Sequence, residues 1–323
     1  MPRRQTIARR LFSAALLGLL CAGAPTLAQT GSNTLRIVVP YPPGGGSDRA
    51  ARVLAEVLQP RLGTPVVVEN ITGAGGRLAM RQLASSADAN LLVLANPALM
   101  VVAPLVYKNN GYDPERDYQP VAQISTYEFA AAVGPGVPVR EFGHLMAWVR
   151  ANPDKANFGV PATGSLPHFF SLMVGQAAKA PLQVVGYRGS APLTTDLMGG
   201  HVPVAIDTVD SLQSLHEAGK LRILATSGAK PIIKGVPTFR EAGLPITATG
   251  WNVLYARAGM PAAQVDRLAA EVAAVMKLPE VRDKLLAAKV EPVSVGLKET
   301  RQMLDGFKAQ WVPVVQKAGL QFE

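Results

Sequence analysis

Short runs of Val, Ile and Leu alternate with amphipathic stretches along almost the whole chain, and this alternation is what most restricts the fold. The apolar runs are typical of buried strands and cover residues 35–40, 66–69, 91–95, 129–133, 157–160, 182–185, 202–206, 223–226 and 251–256. The stretches with helical spacing are 48–62, 76–86, 139–151, 165–178, 191–198 and 211–218. Strands that alternate with helices predict an α/β fold in which helices cover both faces of a parallel sheet.

The pattern changes after Pro261, where helical stretches (262–277, 280–288 and 298–318) follow one another with only a short strand near 290–293. A chain of 323 residues is long for a single core. We therefore expect the chain to cross to a second lobe and to return. The predicted division is residues 29–130 plus 245–323 for lobe 1 and residues 131–244 for lobe 2.

Residues 1–28 have the layout of a cleaved secretory signal: a basic start, an apolar run over 11–22, and small residues that end at Ala28. The apolar run is too short for a membrane span of roughly 20 residues. Arg9 and Arg10 before the run leave both the general and the twin-arginine export routes open. Cleavage near Ala28 would also remove Cys21, the only cysteine, and this excludes disulfides and thiolate chemistry from the mature chain.

The formal net charge of +9 gives no indication of nucleic-acid binding. Four of the cations lie in the first ten residues, and the others are scattered along the chain. No basic block interleaved with aromatic residues occurs, so we expect no nucleic-acid partner.

A glycine-rich turn follows the first predicted strand and precedes a helix; its residues are Pro43, Gly44, Gly45, Gly46, Ser47 and Asp48. Glycines let the backbone approach a ligand closely, and the free N–H groups of a helix start favour a carboxylate or phosphate. The turn lacks the Gly-Lys-Ser/Thr ending of a Walker loop and does not fit GxGxxG. It predicts an anion site, with an ordinary strand–helix turn as the alternative.

The same construction recurs at residues 70–76, which include Ala74 and Gly75, and at residues 161–168, which include Thr163, Gly164, Ser165 and His168. If two lobes are hinged, these helix starts face a single cleft. Such a cleft would bind a small anion.

Catalytic motifs are missing from the sequence, which has no GxSxG and no HExxH. The four histidines are too far apart along the chain to predict a metal site. Ser165 and His168, three residues apart at a helix start, favour a capping pair. An exported serine hydrolase that uses Ser165 or Ser47 remains an alternative, and it would need a base and an orienting group.

Asp207 and Asp210 follow a predicted strand, where they would either bind an ammonium group or cap the next helix. Trp251 and Asn252 either line the cleft or belong to the core.

Segments spread in order over about residues 34–320 resemble the Bug family, the extracytoplasmic receptors of tripartite tricarboxylate transporters. They are PYPPGGGSDRAAR, VVVENITGAGG, YDPERDYQPVAQI, NFGVPATGSLPHF, YRGSAPLTTDLMGGHVPVAIDTVDS, GKLRILATSG, VPTFREAGLP and EVRDKLLAAKVEPV. The resemblance implies a two-lobed periplasmic binding protein, type II-like, with a sheet flanked by helices in each lobe and a ligand cleft between the lobes.

The resemblance also implies a monomeric receptor, without enzymatic activity or cofactor, that passes a small carboxylate to inner-membrane permease subunits or to a sensor protein. A sensor or scaffold with an empty cleft is a third possibility. The ligand-binding residues that the resemblance implies are Pro43, Gly44, Gly45, Gly46, Ser47, Asp48, Thr163, Gly164, Ser165, His168, Tyr187, Arg188, Gly189 and Asp207.

Three segments depart from the family pattern: residues 86–90, 160–162 and 256–258. The first lacks the usual glycine and aromatic residue, and the third introduces Arg257 in place of a proline. The second places Pro161 and Ala162 where a Ser-x-Gly is common, which predicts a stiffer turn beside the ligand.

Overall fold

The computed structural model describes residues 34–180 and 182–323. The predicted secretory signal and Cys21 lie outside the described residues. The strands are β1 Leu35–Val39, β2 Val66–Asn70, β3 Leu91–Ala95, β4 Tyr118–Val133, β5 Asn157–Val160, β6 Gln183–Gly186, β7 Val204–Thr208, β8 Arg222–Thr226, β9 Thr249–Arg257 and β10 Glu291–Pro292.

The α-helices are α1 Gly46–Leu62, α2 Arg77–Ser85, α3 Ala103–Val106, α4 Pro114–Asp117, α5 Phe142–Ala151, α6 Leu166–Ala178, α7 Ser190–Gly199, α8 Val209–Glu217, α9 Ala262–Val275, α10 Pro279–Ala287 and α11 Leu297–Ala318. Ala98–Val102 forms a π-helical turn between β3 and α3. No helix in the described ranges is both long and apolar enough to span a membrane.

In the α1 helix, the sequence determines both the buried face and the residue at which the helix ends. Its apolar stripe, which includes Leu54 and Leu58, is buried against the sheet. Gly63 ends the helix in the left-handed region at φ 64°, a conformation that glycine adopts without strain.

The sheet has ten strands in the order β2-β1-β3-β9-β4-β7-β5-β6, with β8 and β10 paired to β4. Pairing is parallel at both ends, within β2-β1-β3 and within β7-β5-β6. It is antiparallel in the middle, where β9 pairs with β3 and β4, and β4 pairs with β7. The sheet is therefore mixed, and the expected parallel pairing occurs at its two ends only, because β4 carries the chain from one group of strands to the other and β9 brings it back.

The long strand β4 belongs to both groups. Its first part, from Tyr118 to Glu128, pairs with β9, and its second part, from Phe129 to Val133, pairs with β7. Thr34–Glu323 form a single compact unit, and the lobe boundaries stay a prediction.

Strand β9 separates two layers of the core. Trp251, Val253 and Tyr255 pack in one apolar cluster, whereas Leu254 and Ala256 pack in another. This alternation follows from the two-residue period of a strand. The side chains of adjacent β9 residues therefore pack on opposite faces of the sheet.

Two of the three departures from the family pattern contact each other. The Arg257 guanidinium donates a hydrogen bond to the carbonyl of Ser86 at 2.6 Å. Arg257, at the end of β9, thus stabilises the turn at residues 86–90, which lacks the glycine and the aromatic residue of the family pattern.

Candidate functional site

The starts of four helices line one cavity of about 770 Å³, which we call the central cavity. The helix-start residues that line it are Gly45, Gly46, Ser47 and Asp48 at α1, Ser165, Leu166 and Pro167 at α6, Gly189 and Ser190 at α7, and Thr208, Val209 and Asp210 at α8. Residues of β4 and β9 line it as well. The loops at the carboxyl ends of strands, together with the helices that follow them, thus build one concave site.

Three of these helix starts have no side-chain cap within the described chain: those of α1, α7 and α8. Their first N–H groups have no partner inside the helix and carry partial positive charge. The α6 helix differs, because the Ser165 hydroxyl accepts a hydrogen bond from the backbone N–H of His168 at 3.4 Å. The three uncapped starts can donate hydrogen bonds to an anion in the cavity.

Only part of the glycine-rich turn before α1 lines the central cavity; the rest shapes the turn. Gly45, Gly46, Ser47 and Asp48 line the central cavity, whereas Pro43 and Gly44 are exposed and do not. Gly44 has φ 89°, and its N–H donates to the Asp48 carboxylate at 2.9 Å. Gly44 therefore shapes the turn.

Asp48 is a buried, ionised support of this turn. Its burial disfavours the charge, but hydrogen bonds from Arg52, Gly44 and Asn70 outweigh that effect and lower its pKa. The Arg52 guanidinium lies 2.9 Å from the carboxylate. The charge of Asp48 is thus neutralised locally, and the nearby helix start remains favourable to an anion.

Of the predicted ligand-binding residues that follow β5 and β6, only some line the central cavity. Ser165, Tyr187, Arg188 and Gly189 line the central cavity. Thr163, Gly164 and His168 do not line it, and neither do Ala74 and Gly75 after β2.

His168 is a structural partner of its own turn. Its Nδ1 accepts a hydrogen bond from the N–H of Gly164 at 3.1 Å, and burial lowers its pKa. A neutral imidazole engaged in this way cannot accept a proton from Ser165 through Nδ1. The pair therefore caps and fixes the start of α6.

Asp207 is the most unusual group in the central cavity. Its side chain is 1% exposed, its Oδ1 accepts from the N–H of Thr208 at 2.7 Å, and its Oδ2 has no partner among the described residues. Burial raises the pKa of Asp207 to about 7; hydrogen bonds from Ser190 and Thr208 oppose this shift in part, and the charge of Asp210 adds to it. Asp207 does not cap α8, since Thr208 is the N-cap residue and no side chain bonds there.

A chain of hydrogen bonds joins α1, β9 and β4 at the wall of the central cavity. The sequence analysis did not predict it. The Ser47 hydroxyl donates to Asn252 Oδ1 at 2.8 Å, and Asn252 Nδ2 donates to Ser125 Oγ at 2.9 Å. Asn252 lines the central cavity, whereas Trp251, 1% exposed, belongs to the core. The two-residue period of a strand could have predicted that Trp251 and Asn252 face opposite sides of the sheet. No sequence pattern indicated that Ser125 lines the cavity.

Two cations without an ion-pair partner in the described chain and one half-buried acid complete the wall. Arg188 and Lys289 line the cavity and form no ion pair within the described residues. Glu128, where β4 passes between the two groups of strands, accepts from the N–H of Gly228 at 3.0 Å. Burial raises the pKa of Glu128.

Comparison with known proteins identifies the family to which this fold belongs. The family model described as "Tripartite tricarboxylate transporter family receptor" matches residues 50–320. A structure of an R. palustris protein with adipate has a TM-score of 0.80 and 30% identity, and the match covers 89% of this chain and 98% of that one. The periplasmic binding protein BugD has a TM-score of 0.76 and 27% identity over 90% of this chain and 99% of its own.

MatC from Rhodopseudomonas palustris, solved with bound malate, has a TM-score of 0.74 and 25% identity over 87% of this chain and 98% of that one. These matches confirm the resemblance and the predicted fold class, an α/β periplasmic binding protein. The chain belongs to the tripartite tricarboxylate transporter receptor family and is a solute-binding receptor of the Bug type.

Proposed function

We propose that this receptor works in the periplasm, captures a small carboxylated solute in the central cavity, and passes it unchanged to inner-membrane permease subunits. The observation that carries the proposal is the set of three uncapped helix starts, α1, α7 and α8, around one cavity. Their N–H groups are suited to carboxylate oxygens. The relatives solved with adipate and with malate, both dicarboxylates, support the same ligand class.

The cavity also offers partners for a second polar end of the ligand. Arg188 and Lys289 can each pair with a carboxylate. Asp207, with its pKa near 7, can donate a hydrogen bond to a ligand oxygen when protonated and accept one from an amine when ionised. A solute with two polar ends therefore fits this wall better than one with a single polar end.

Export and location rest on the predicted signal at residues 1–28 and on the periplasmic relative BugD. The family membership supports a permease as the partner. We propose the monomer as the unit that binds the solute.

A thermal-shift experiment tests the function. Adipate and malate are compared with their uncharged diamides, and the ligand is recovered and weighed by mass spectrometry. A receptor gains about 2.7 kcal/mol at a hundredfold excess of ligand over Kd. We expect the melting temperature to rise with at least one dicarboxylate, not with its diamide, and the ligand to return intact.

Two outcomes would contradict the proposal. A ligand that returns cleaved would indicate a hydrolase. A melting temperature that no carboxylate of a wider panel changes would indicate a protein that does not bind this class of solute.

A further inference from the structure

Two large apolar side chains form part of the exposed wall of the central cavity. Ile232 is 50% exposed and Leu286 is 44% exposed, and both line the cavity. Ile232 lies between β8 and β9, whereas Leu286 lies on the last turn of α10. Apolar side chains that are exposed singly on a surface need no explanation. Two that line one concave site offer carbon surface to a ligand.

Buried neighbours hold both side chains in place. Ile233 is buried in a core cluster together with Val236, and the N–H of Val236 donates to the carbonyl of Ile233 at 3.1 Å. Leu285 is buried in the core cluster that includes the apolar stripe of α1. Ile232 and Leu286 each follow or precede one of these buried residues directly, so both can contact a ligand without a rearrangement of the core.

Two tyrosine rings add carbon surface to the same cavity. Tyr41 and Tyr187 line it and are half-buried. The Tyr41 hydroxyl donates to Asn96 Oδ1 and the Tyr187 hydroxyl donates to Asp196 Oδ2, each at 2.9 Å. Because both O–H donors are used within the chain, these side chains offer a ligand mainly their rings.

Other polar side chains of the lining also have partners within the chain. The Thr126 hydroxyl donates to the carbonyl of Gly250 at 2.9 Å, and the Gln213 amide donates to the Glu217 carboxylate at 2.8 Å. A polar group in the middle of a solute would therefore gain little from these donors.

The volume of the central cavity favours a solute longer than four carbons. Its 770 Å³ lies within the range of roughly 300–1,000 Å³ that is usual for sites of drug-sized ligands. A four-carbon dicarboxylate fills only a small part of that space. Each further methylene that reaches the apolar wall removes carbon surface from water.

We propose that Ile232 and Leu286 are specificity-determining residues, which contact the linker between the two carboxylates of the solute. The ligand class is then an α,ω-dicarboxylate with an unbranched apolar linker of four methylenes or more. One carboxylate binds at the helix starts, and the linker lies along Ile232, Leu286 and the two tyrosine rings. This inference rests on the proposed function, because it requires carboxylate capture in the central cavity.

Calorimetric titration with succinate, adipate and suberate tests the proposal. These dianions carry the same two carboxylates and differ only in having two, four or six methylenes, so the comparison isolates the linker. A fully buried methylene raises affinity by about fourfold, and the cost of ordering a longer chain opposes part of this gain. We expect suberate to bind about tenfold more tightly than succinate, with adipate between them.

Leu286→Ser and Ile232→Ser test the two residues themselves. Both side chains are exposed, so the fold should tolerate the changes. Each change should weaken suberate binding by about fivefold and succinate binding by less than about twofold. Leu78→Ser is the matched control, because Leu78 is 51% exposed on α2 and does not line the central cavity. It should leave the affinity for all three dicarboxylates unchanged.

The outcomes separate this inference from the proposed function. Equal affinities for succinate and suberate would overturn the inference and leave the proposed function standing. The same holds if both variants weaken succinate binding as much as suberate binding. If none of the three dicarboxylates binds, the inference is rejected, and the wider carboxylate panel decides the proposed function.

Discussion

At the scale of single residues, the central cavity keeps one carboxyl group in an environment that disfavours its charge. Asp207 is 1% exposed and its Oδ2 has no partner among the described residues. Burial raises its pKa from 3.8 to about 7, so the folded protein holds this proton more tightly than the unfolded chain does. The stability that this group contributes is fully present below pH 3.8 and is lost as the pH rises to about 7.

Asp207→Asn should therefore stabilise the ligand-free protein above neutral pH. At pH 8 we expect the free energy of unfolding to rise by roughly 2–4 kcal/mol, because the amide removes the buried charge. At pH 4 the difference should be small. Urea unfolding at both pH values measures the effect.

Asp266→Asn is the matched control, since Asp266 is exposed on α9 and carries the same group. It should change the free energy of unfolding by less than about 0.5 kcal/mol at either pH. If Asp207→Asn shows the same pH profile as the wild type, Asp207 is not the group that we describe.

At the scale of elements, the start of α1 should accept a side chain without changing its backbone. Gly45 has φ −74° and ψ 168°, and a Cβ there would meet only the Pro42 carbonyl, at 3.9 Å. Gly45→Val should keep the fold, at a cost of about 1 kcal/mol at this capping position. Its methyl groups would occupy ligand space, so dicarboxylate affinity should fall by roughly 10–100-fold.

Gly136→Val is the control for this variant. A Cβ at Gly136 meets nothing within 4 Å, and Gly136 is exposed away from the central cavity. Calorimetric titration should give wild-type affinity for Gly136→Val. If Gly45→Val binds dicarboxylates with unchanged affinity, the start of α1 is not part of the binding site.

An ion pair joins two helices whose starts both line the central cavity. Arg49 of α1 lies 3.9 Å from the carboxylate of Asp210 of α8, and it also donates to the carbonyl of Ala288 at 2.8 Å. Arg49 thus connects the α8 wall to the end of α10. We expect this pair to hold the two walls together around a bound solute.

A double-mutant cycle of Arg49→Gln and Asp210→Asn measures that role in ligand affinity. The two changes should be non-additive, with a coupling free energy of about 0.5–1 kcal/mol. The same cycle on Arg61 and Glu271, a half-exposed pair elsewhere, should give no coupling. Strict additivity for Arg49 and Asp210 would contradict the role.

Most elements could be predicted from local patterns, since apolar runs and helical stripes are properties of short segments. The first part of β4 was missed because residues 118–128 mix polar and apolar side chains, with Pro120 and Glu128 among them. That part is stabilised by β9, which lies more than a hundred residues later in the chain. Strand direction in the middle of the sheet was missed for the same reason, because it depends on the path of the whole chain.

The lining of the central cavity was predictable where backbone turns form it and not where distant side chains meet, and the ligand-binding roles of these residues stay a prediction. Gly45, Gly46 and Ser165 could be found from glycine and serine at helix starts. The contact of Ser47 with Asn252 joins residues 205 positions apart, and no local pattern contains it. His168 was expected among the ligand-binding residues; it does not line the central cavity, and its Nδ1 accepts a hydrogen bond from the N–H of Gly164.

At the scale of the whole molecule, the account depends on one relation: helix starts from distant parts of the chain converge on a shared cavity that binds a carboxylate. A crystal structure of the protein with the dicarboxylate that stabilises it most tests this relation directly. We predict a carboxylate within hydrogen-bond distance of the backbone N–H groups at the start of α1, with the rest of the solute between α6 and α8. A solute bound outside the central cavity, or one whose carboxylates contact none of these helix starts, would contradict the account.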